Sequence, residues 1–340
     1  MWKMDGRSAA AAPAAPQTPA NDSPELQRME QFQPEAPRRR LEDLVVPAAV
    51  RSRIEAALAA IVHRRALYEE WGLDQVDPGG GKVAVNLWGP PGTGKSFCAE
   101  AIAAHLGKQL LKVNYAEIES KYVGDTPKNI KAAFARARET GAVLFFDEAD
   151  SILGKRLTSV TQSADHGVNV SRSVMLLELD AFDGVVLFAT NLAQNYDGAF
   201  VRRIRAHVEF ELPDRDCRRR LWEFMLPESL PRAEDVDPEW LAGSSEALSG
   251  GDFVNVVVGA ASRAVQREGE ARRVTRADLE LELENVRRAK RHVGAEPGAV
   301  RVVEERELDP ADVPEDVREA FEGRGRKGHN GTPSGEVPMA

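Results

Sequence analysis

Only two cysteines, Cys98 and Cys217, occur in 340 residues. They offer neither a metal-ligand spacing nor a disulfide framework, which is the usage expected in a reducing cytoplasm. No apolar run approaches the ~20 residues a membrane helix needs, and the N-terminus lacks the apolar h-region of a signal peptide. A cytoplasmic location with no membrane partner is therefore expected. Positive charge is also in deficit: 45 Lys and Arg against 54 Asp and Glu leave a net charge of -9. Non-specific nucleic-acid binding favours a basic face, so nucleic acid is not the expected partner, although a local basic pore stays open. There is no His-Glu-x-x-His stretch, so direct proteolysis is not expected, and there is no internal repeat. What is present is an ordinary apolar fraction, 42%, enough for a globular core.

Residues 1–40 are rich in Ala, Pro, Gln and Glu and end in Arg38-Arg39-Arg40. Such a composition cannot bury enough surface to fold alone, so a disordered tail is predicted, with the arginines as a solvated charge run. Ile54, Leu58, Ile61, Leu67 and Trp71 recur at helical spacing over 50–71. Strands predicted at 83–88, 110–114, 142–147, 185–190 and 207–212 alternate with helices near 95–106, 127–139, 168–181 and 197–204. Alternation of this kind implies an α/β fold with a parallel sheet covered on both faces. After Pro213 only helices are predicted, at 214–225, 238–242, 250–268 and 275–292, the last opened by a capping box of Thr275 and Asp278. The expected organisation is an α/β domain over 41–213, a small all-α domain over 214–292 and a largely disordered tail over 293–340, with a short helix near 310–322.

The most informative stretch is Gly89-Pro90-Pro91-Gly92-Thr93-Gly94-Lys95-Ser96. It is a complete phosphate-binding loop, G-x-x-x-x-G-K-[ST], set between a predicted strand and a predicted helix. Glycines let backbone N–H groups approach phosphate oxygens, and the helix N-terminus adds partial positive charge. Lys95 would reach the β- and γ-phosphates of a nucleoside triphosphate, and the Ser96 hydroxyl would ligate Mg²⁺. Two strands on, Val143-Leu144-Phe145-Phe146 runs into Asp147-Glu148. Asp147 would hold the hydration shell of the Mg²⁺, and Glu148 would polarise an attacking water. A water-activating acid favours ATP hydrolysis over phosphate transfer. Asn191, a polar residue at the end of a fourth strand, lies where ligands of open parallel sheets bind. It would orient water or γ-phosphate, or serve as a turn former.

On these motifs the chain resembles the AAA+ ATPases, and within them the AAA clade proper. It resembles the katanin and spastin type and bacterial relatives found with contractile injection systems. The resemblance runs from about Leu41 to about His292. Gly89 to Ser96 matches Walker A, Asp147-Glu148-Ala149-Asp150 matches Walker B, and Ala189-Thr190-Asn191 matches sensor 1. It implies a P-loop core followed by a small helical lid, Mg-ATP hydrolysis, and a homo-oligomer that is hexameric when ATP is bound. Such rings remodel or disassemble a protein or protein assembly through a central pore. The stretch Asp197 to Arg205 resembles the segment that carries arginine fingers. It is one residue shorter than the Arg-Arg-x-Gly-Arg of many members. The resemblance implies that Arg203 and Arg205 reach the γ-phosphate held by a neighbouring subunit, a role suited to a planar, permanently charged guanidinium. Asp43-Leu44 resembles the linker that contacts adenine. Ser249-Gly250-Gly251-Asp252 resembles the start of the lid helix, where Gly250 and Gly251 would let the backbone approach adenine and ribose.

Lys121-Tyr122-Val123-Gly124-Asp125-Thr126 resembles the first pore loop of protein-remodelling members. Tyr122 would grip polypeptide with a broad, stiff ring, and Val123 and Gly124 would complete the loop. Residues 154–167, with Lys155 and Arg156, resemble the second pore loop. Two other functions use the same core. A regulatory switch or assembly factor would need no turnover, which the intact Asp147, Glu148 and Asn191 argue against. A nucleic-acid motor or loader would carry basic insertions or an appended DNA-binding fold, and neither is seen.

Overall fold

In a computed structural model of the chain, residues 24–77, 82–114, 118, 125–154, 163–191 and 196–292 are described, with only the backbone for Ser151 and residues 163–166. Nearly every position of the strands between 83 and 190 is apolar, at odd and even places alike. Successive strand side chains point to opposite faces, so neither face of this sheet can be left to water. The strands are β1 (Val83–Trp88), β2 (Leu110–Asn114), β3 (Val143–Asp147), β4 (Val185–Thr190) and β5 (Ala206–Glu209). They form one all-parallel sheet in the order β2-β3-β4-β1-β5. Alternate residues sort onto two cores. Leu144, Phe146, Val186 and Phe188 pack with Phe134 and Phe182 on one face. Val85, Leu87, Val143, Phe145 and Leu187 pack with Ile54, Leu58 and Ile102 on the other. The aromatic rings of the first core interlock, with Phe146 stacked on Phe188 at 5.5 Å and Phe134 edge-on to Phe182 at 5.3 Å.

The flanking helices are α1 (Pro24–Glu30), α2 (Ala48–Val62), α3 (Lys95–His105), α4 (Asp125–Thr140), α5 (Asp150–Leu153), α6 (Ser163–Ala181) and α7 (Gly198–Val201). The helical spacing over 50–71 is carried in two pieces, α2 to Val62 and a π-turn over Ala66–Glu70, with Gly72 at φ +71° just beyond. One sequence expectation changes here. Residues 24–40, expected in a disordered tail, are ordered. Phe32 is buried in the first core, and Glu35 exchanges two backbone hydrogen bonds with Leu110 at 2.8 and 2.9 Å. The physical reason is the edge of the sheet. β2 has an open side, and a strap that pairs with it satisfies exposed backbone groups; a composition count over 40 residues cannot register two apolar anchors, Phe32 and the partly buried Met29. Residues 1–23 and 293–340, with the helix expected near 310–322, lie outside the described residues.

The later helices are α8 (Arg215–Met225), α9 (Pro238–Ser244), α10 (Gly250–Ala264) and α11 (Arg276–His292). They enclose a third core of their own, from Trp222 to Leu283. In it Trp222 stacks on Phe253 at 4.5 Å and donates its indole N–H to Ser245 at 3.0 Å. By contacts the chain divides into Met1–Arg288 and Ala289–Ala340, and of the second unit only residues 289–292, the end of α11, are described.

The capping box expected at Thr275 is present. Asp278 accepts from the Thr275 backbone N–H at 2.9 Å, and Thr275 Oγ1 accepts from the Asp278 N–H at 3.3 Å. Burial raises the pKa of Asp278, but the Arg267 guanidinium and the Thr275 donors outweigh it and hold the carboxyl below its ordinary value. A depressed folded pKa means stability that is present above the unfolded pKa and lost as pH falls through the folded one. Asp278→Ala is expected to cost about 0.5–2 kcal/mol at neutral pH, the range for a lost cap. In denaturant titrations the variant should also lose less stability than the parent when pH is taken below about 3.9, the ordinary Asp value.

Candidate nucleotide site

The phosphate loop begins where β1 leaves the sheet. The Gly89 N–H donates to Thr190 O at 3.3 Å, and the residue sits at φ +139° so close to β5 that a Cβ would lie 2.0 Å from the Phe210 carbonyl oxygen. Only glycine allows this approach. Gly92, at φ +75°, meets the N-terminus of α10: its carbonyl accepts from the Gly251 N–H at 3.0 Å, and a Cβ would lie 2.6 Å from Ser249 Oγ. Ser249 N-caps that helix in a capping box with Asp252. Gly94 then caps α3, which starts at Lys95. Lys95 is buried, and its ammonium donates to the carbonyls of Gly89 and Pro90, both at 2.8 Å. Burial depresses its pKa, while Asp147 and Asp150 pull it back up. Pro91 and Thr93 lie on the same turn, with Thr93 Oγ1 donating to Pro90 O at 2.8 Å.

The end of β3 meets this loop. Ser96 Oγ donates to Asp147 Oδ2 at 3.1 Å, and Lys112, at the middle of β2, places its ammonium 2.9 Å from the same oxygen. Sequence reading missed Lys112; its only signal was a charge inside an apolar strand. A hydroxyl and a carboxylate oxygen side by side, at a position that already attracts an ammonium, suit a small hard cation such as Mg²⁺. Glu148 follows at φ +53°, with its side chain exposed and its N–H on Asp147 Oδ1 at 3.1 Å. Ala149 ties this turn to β4 through a 2.9 Å bond to Ala189 O. Asn191, one residue beyond the buried Thr190, is exposed at the same end of the sheet.

Beside the loop lies an apolar cleft of about 200 Å³. Leu44, Gly92, Thr93, Gly94, Gly250 and Gly251, all expected from sequence, line it together. Phe97, Phe224, Met225 and Val254 line it too and were not foreseen. Phe224 and Val254 are half-exposed there, so no burial pattern along their helices marked them. An apolar slot with a few backbone groups is what a planar base needs.

A buried polar chain runs under β1. Asn86 is wholly buried in the strand and accepts from Tyr196 Oη at 2.9 Å, while its amide meets His207 Nδ1 at 3.4 Å. Tyr196 also bonds Thr190, the residue before Asn191, and burial raises its pKa so that the phenol stays protonated. Cys98 and Cys217 are free and buried, and burial pushes both thiols up to about 12, so neither is a nucleophile near neutral pH. Among the described residues no cluster of His, Cys, Asp and Glu could hold a metal by itself, and no helix is long and apolar enough to cross a membrane.

The arginines stand elsewhere. The Arg205 N–H bonds Ala84 O at 2.9 Å, at the opening of β1. Gly89 is five residues further along the strand, about 16 Å away at the usual strand rise. Arg203 grips Asp180, at the end of α6, through Nε and Nη2 at 2.9 Å each, and Arg202 donates to Gly198 O. Neither Arg203 nor Arg205 is brought to the chain's own phosphate loop. Tyr122, Val123, Gly124, Lys155 and Arg156 lie outside the described residues. The loop expected over 154–167 is shorter than that, because α6 already starts at Ser163.

Residues 85–213 match the family model described as ATPase family associated with various cellular activities (AAA). A 26S proteasome regulatory subunit 6B homolog of Dictyostelium discoideum is 32% identical over 220 residues, 63% of this chain and 52% of its own. The katanin p60 ATPase-containing subunit A1 of Strongylocentrotus purpuratus is 34% identical over 195 residues, 54% of this chain and 37% of its own. Spastin of Anopheles gambiae is 36% identical over 178 residues, 49% of this chain and 21% of its own. The chain thus spans about half the length, or less, of these curated relatives.

The Asn86–Tyr196 bond generates a prediction. Tyr196→Phe keeps the ring and leaves the buried Asn86 oxygen without its donor, which is expected to cost about 1–3 kcal/mol. Urea unfolding of parent and variant measures it, and equal midpoints would mean that the bond contributes nothing.

Proposed function

We propose that this chain, which carries an AAA ATPase domain over residues 85–213, hydrolyses Mg-ATP and works as a hexameric ring that remodels or disassembles a protein or protein assembly. The observation that carries the ATPase reading is the meeting of Lys95, Ser96 and Asp147 past the ends of β1 and β3, the strands on either side of β4, with exposed Glu148 one residue on. Backbone N–H groups of Gly92 to Ser96 would bind phosphate oxygens, and Lys95 would exchange its loop carbonyls for the β- and γ-phosphates. Ser96 and Asp147 would hold Mg²⁺, which would supply charge neutralisation at the phosphates. Glu148 would take the proton of the attacking water, and Asn191 would orient that water or the γ-phosphate. The base would lie in the apolar cleft, against Leu44, Gly250 and Gly251, with residues 214–292 acting as a lid.

The ring reading is supported by the position of Arg203 and Arg205, about a strand's length from the phosphate loop of their own chain. At that distance they can complete only another copy's site. The protein-remodelling reading is supported by the Tyr122-Val123-Gly124 stretch and by relatives that include a katanin subunit, spastin and a proteasome regulatory subunit. A cytoplasmic setting accords with two free, buried cysteines.

Lys95→Ala is expected to abolish tight ATP binding. Glu148→Gln should keep ATP binding and slow turnover by about 10²–10⁴-fold, the scale of a lost general base. Equilibrium nucleotide binding and steady-state phosphate release separate the two, and parent-like turnover in Glu148→Gln would remove that residue from the mechanism.

Tyr122→Ala tests the work output. Basal ATPase and melting temperature should stay near parent values, while processing of a protein substrate is lost; Tyr122→Phe should be tolerated, because grip depends on ring area. A packed tyrosine would behave otherwise, with a cost of roughly 3–5 kcal/mol on truncation. A lower melting temperature together with lost ATPase would reject the pore-loop role.

A further inference from the structure

Residues 66–77, between α2 and β1, form the π-turn Ala66–Glu70 and the 3-10 turn Leu73–Gln75. Their inward face holds Arg205. Tyr68 is buried, and its hydroxyl donates to Asp77 Oδ2 at 3.0 Å. The Arg205 guanidinium donates from Nη1 to the Tyr68 hydroxyl and from Nη2 to Asp77, and lies 5.6 Å from the Tyr68 ring centroid. Two donors and one ring face are thereby fixed, while the backbone bond to Ala84 anchors the stem. Arg205 in turn holds the Asp77 carboxyl below its ordinary value, so the pair is charged at neutral pH. Among the exposed Glu69, Glu70, Asp74 and Gln75, the same segment also presents three apolar side chains to the surface. Trp71 is 74% and Val76 81% exposed, with Leu73 beside them at 37%. A lone exposed apolar residue needs no explanation, but a tryptophan and a valine this exposed within six residues mark a contact surface.

We propose that residues 66–77 are a subunit-docking element in which Tyr68 and Asp77 aim Arg205 while Trp71, Leu73 and Val76 seat on a second copy of this chain beside its nucleotide cleft. The proposal rests on the ring reading above. A second copy is the fitting occupant for two reasons. The guanidinium complements a triphosphate and stands too far from its own chain's loop to meet one. The cleft of another copy also offers Phe224 and Val254, half-exposed apolar side chains at its mouth. The two surfaces are different parts of one chain, so the contact is heterologous and can close into a ring. Tyr68 and Asp77 are positioning residues: they act on the nucleotide only through Arg205.

The test uses the full chain and reads steady-state ATPase against protein concentration, with nucleotide binding and thermal unfolding alongside. Asp77→Asn should keep ATP binding and lower turnover by about 10–100-fold, since a 1 Å misplacement of a reacting group can cost about 10²-fold. Tyr68→Phe keeps the ring and should lower turnover in the same direction; it carries the test if Asp77→Asn fails to fold. In an Arg205→Ala background Asp77→Asn should add no further loss, a result that a merely structural role would not produce. Trp71→Ala should raise the protein concentration at half-maximal turnover by about tenfold or more and leave turnover at saturating concentration near the parent's, as expected when a buried interface aromatic is truncated. Parent-like turnover in folded Asp77→Asn and Tyr68→Phe, with activity lost in Arg205→Ala, overturns this inference and leaves the ring reading standing. An added loss from Asp77→Asn in the Arg205→Ala background, or parent-like concentration dependence in Trp71→Ala, overturns it as well. Parent-like turnover in Arg205→Ala also overturns this inference and leaves Arg203 to carry the ring reading, which itself falls if the parent's specific activity is independent of protein concentration.

Discussion

The close approach of backbone to backbone at the end of β1 is the constraint on which the site depends. Gly89 lies against the Phe210 carbonyl and Gly92 against the start of α10, so the phosphate loop is held between the last strand of the sheet and the first turn of a helix from the third core. A side chain at either position would push these parts away. Because they touch, the loop turns back sharply enough for the Lys95 ammonium to be buried on its own carbonyls. That burial lowers the pKa of Lys95, and the carboxylates of Asp147 and Asp150 counter it. An ammonium kept charged in a poorly solvated place interacts strongly with an anion that reaches it.

A parallel sheet has two unlike ends, and this chain uses both. Loops leaving the C-terminal ends of β1, β3 and β4 bring together the phosphate loop, Asp147-Glu148 and Asn191. The opening ends of β1 and β5 carry Ala84 and Arg205, with Asp180 and Arg203 close by in the chain's course. Strand length alone separates the two groups. Arginines at the opening end neutralise local carboxylates within their own chain, and the roles proposed for them need a second copy. Between the ends, the Asn86–Tyr196–Thr190 contacts run through the apolar core. Buried polar groups of this kind are costly unless paired, and here each has a partner.

Much of the fold was legible as periodicity. β1, β2 and β4 have the bounds that their apolar runs suggested, the capping box at Thr275 is where its two residues stand three apart, and the switch to helices after Pro213 coincides with a separate core. The phosphate-loop motif, Asp147 and Glu148 stand out in the sequence because the chemistry proposed for them needs fixed residue types at fixed spacing. Other features were not readable, for identifiable reasons. The strap over 24–40 depends on an open edge that β2 presents only once the sheet exists. Phe97, Phe224, Met225 and Val254 meet at the cleft from three separate helices, so no window of sequence contains them together. Lys112 reads as a surface charge until β2 pairs with β3 and sets it beside Asp147.

The sequence by itself determined the local chemistry: a loop that tolerates positive φ, a lysine and serine at a helix start, two acids at a strand end, and arginines in a short run. Each of these is a property of neighbours along the chain, and neighbours are what a sequence records. Only the tertiary structure decided which of these groups face one another. The order β2-β3-β4-β1-β5 sets β3 and β1 on either side of β4, so Asp147 reaches Ser96, and the direction of the strands puts Arg205 at the other end, in the grip of Tyr68 and Asp77. Strand order and direction follow from burying both faces of one sheet at once. That is a requirement on the whole chain, which no single segment of it carries.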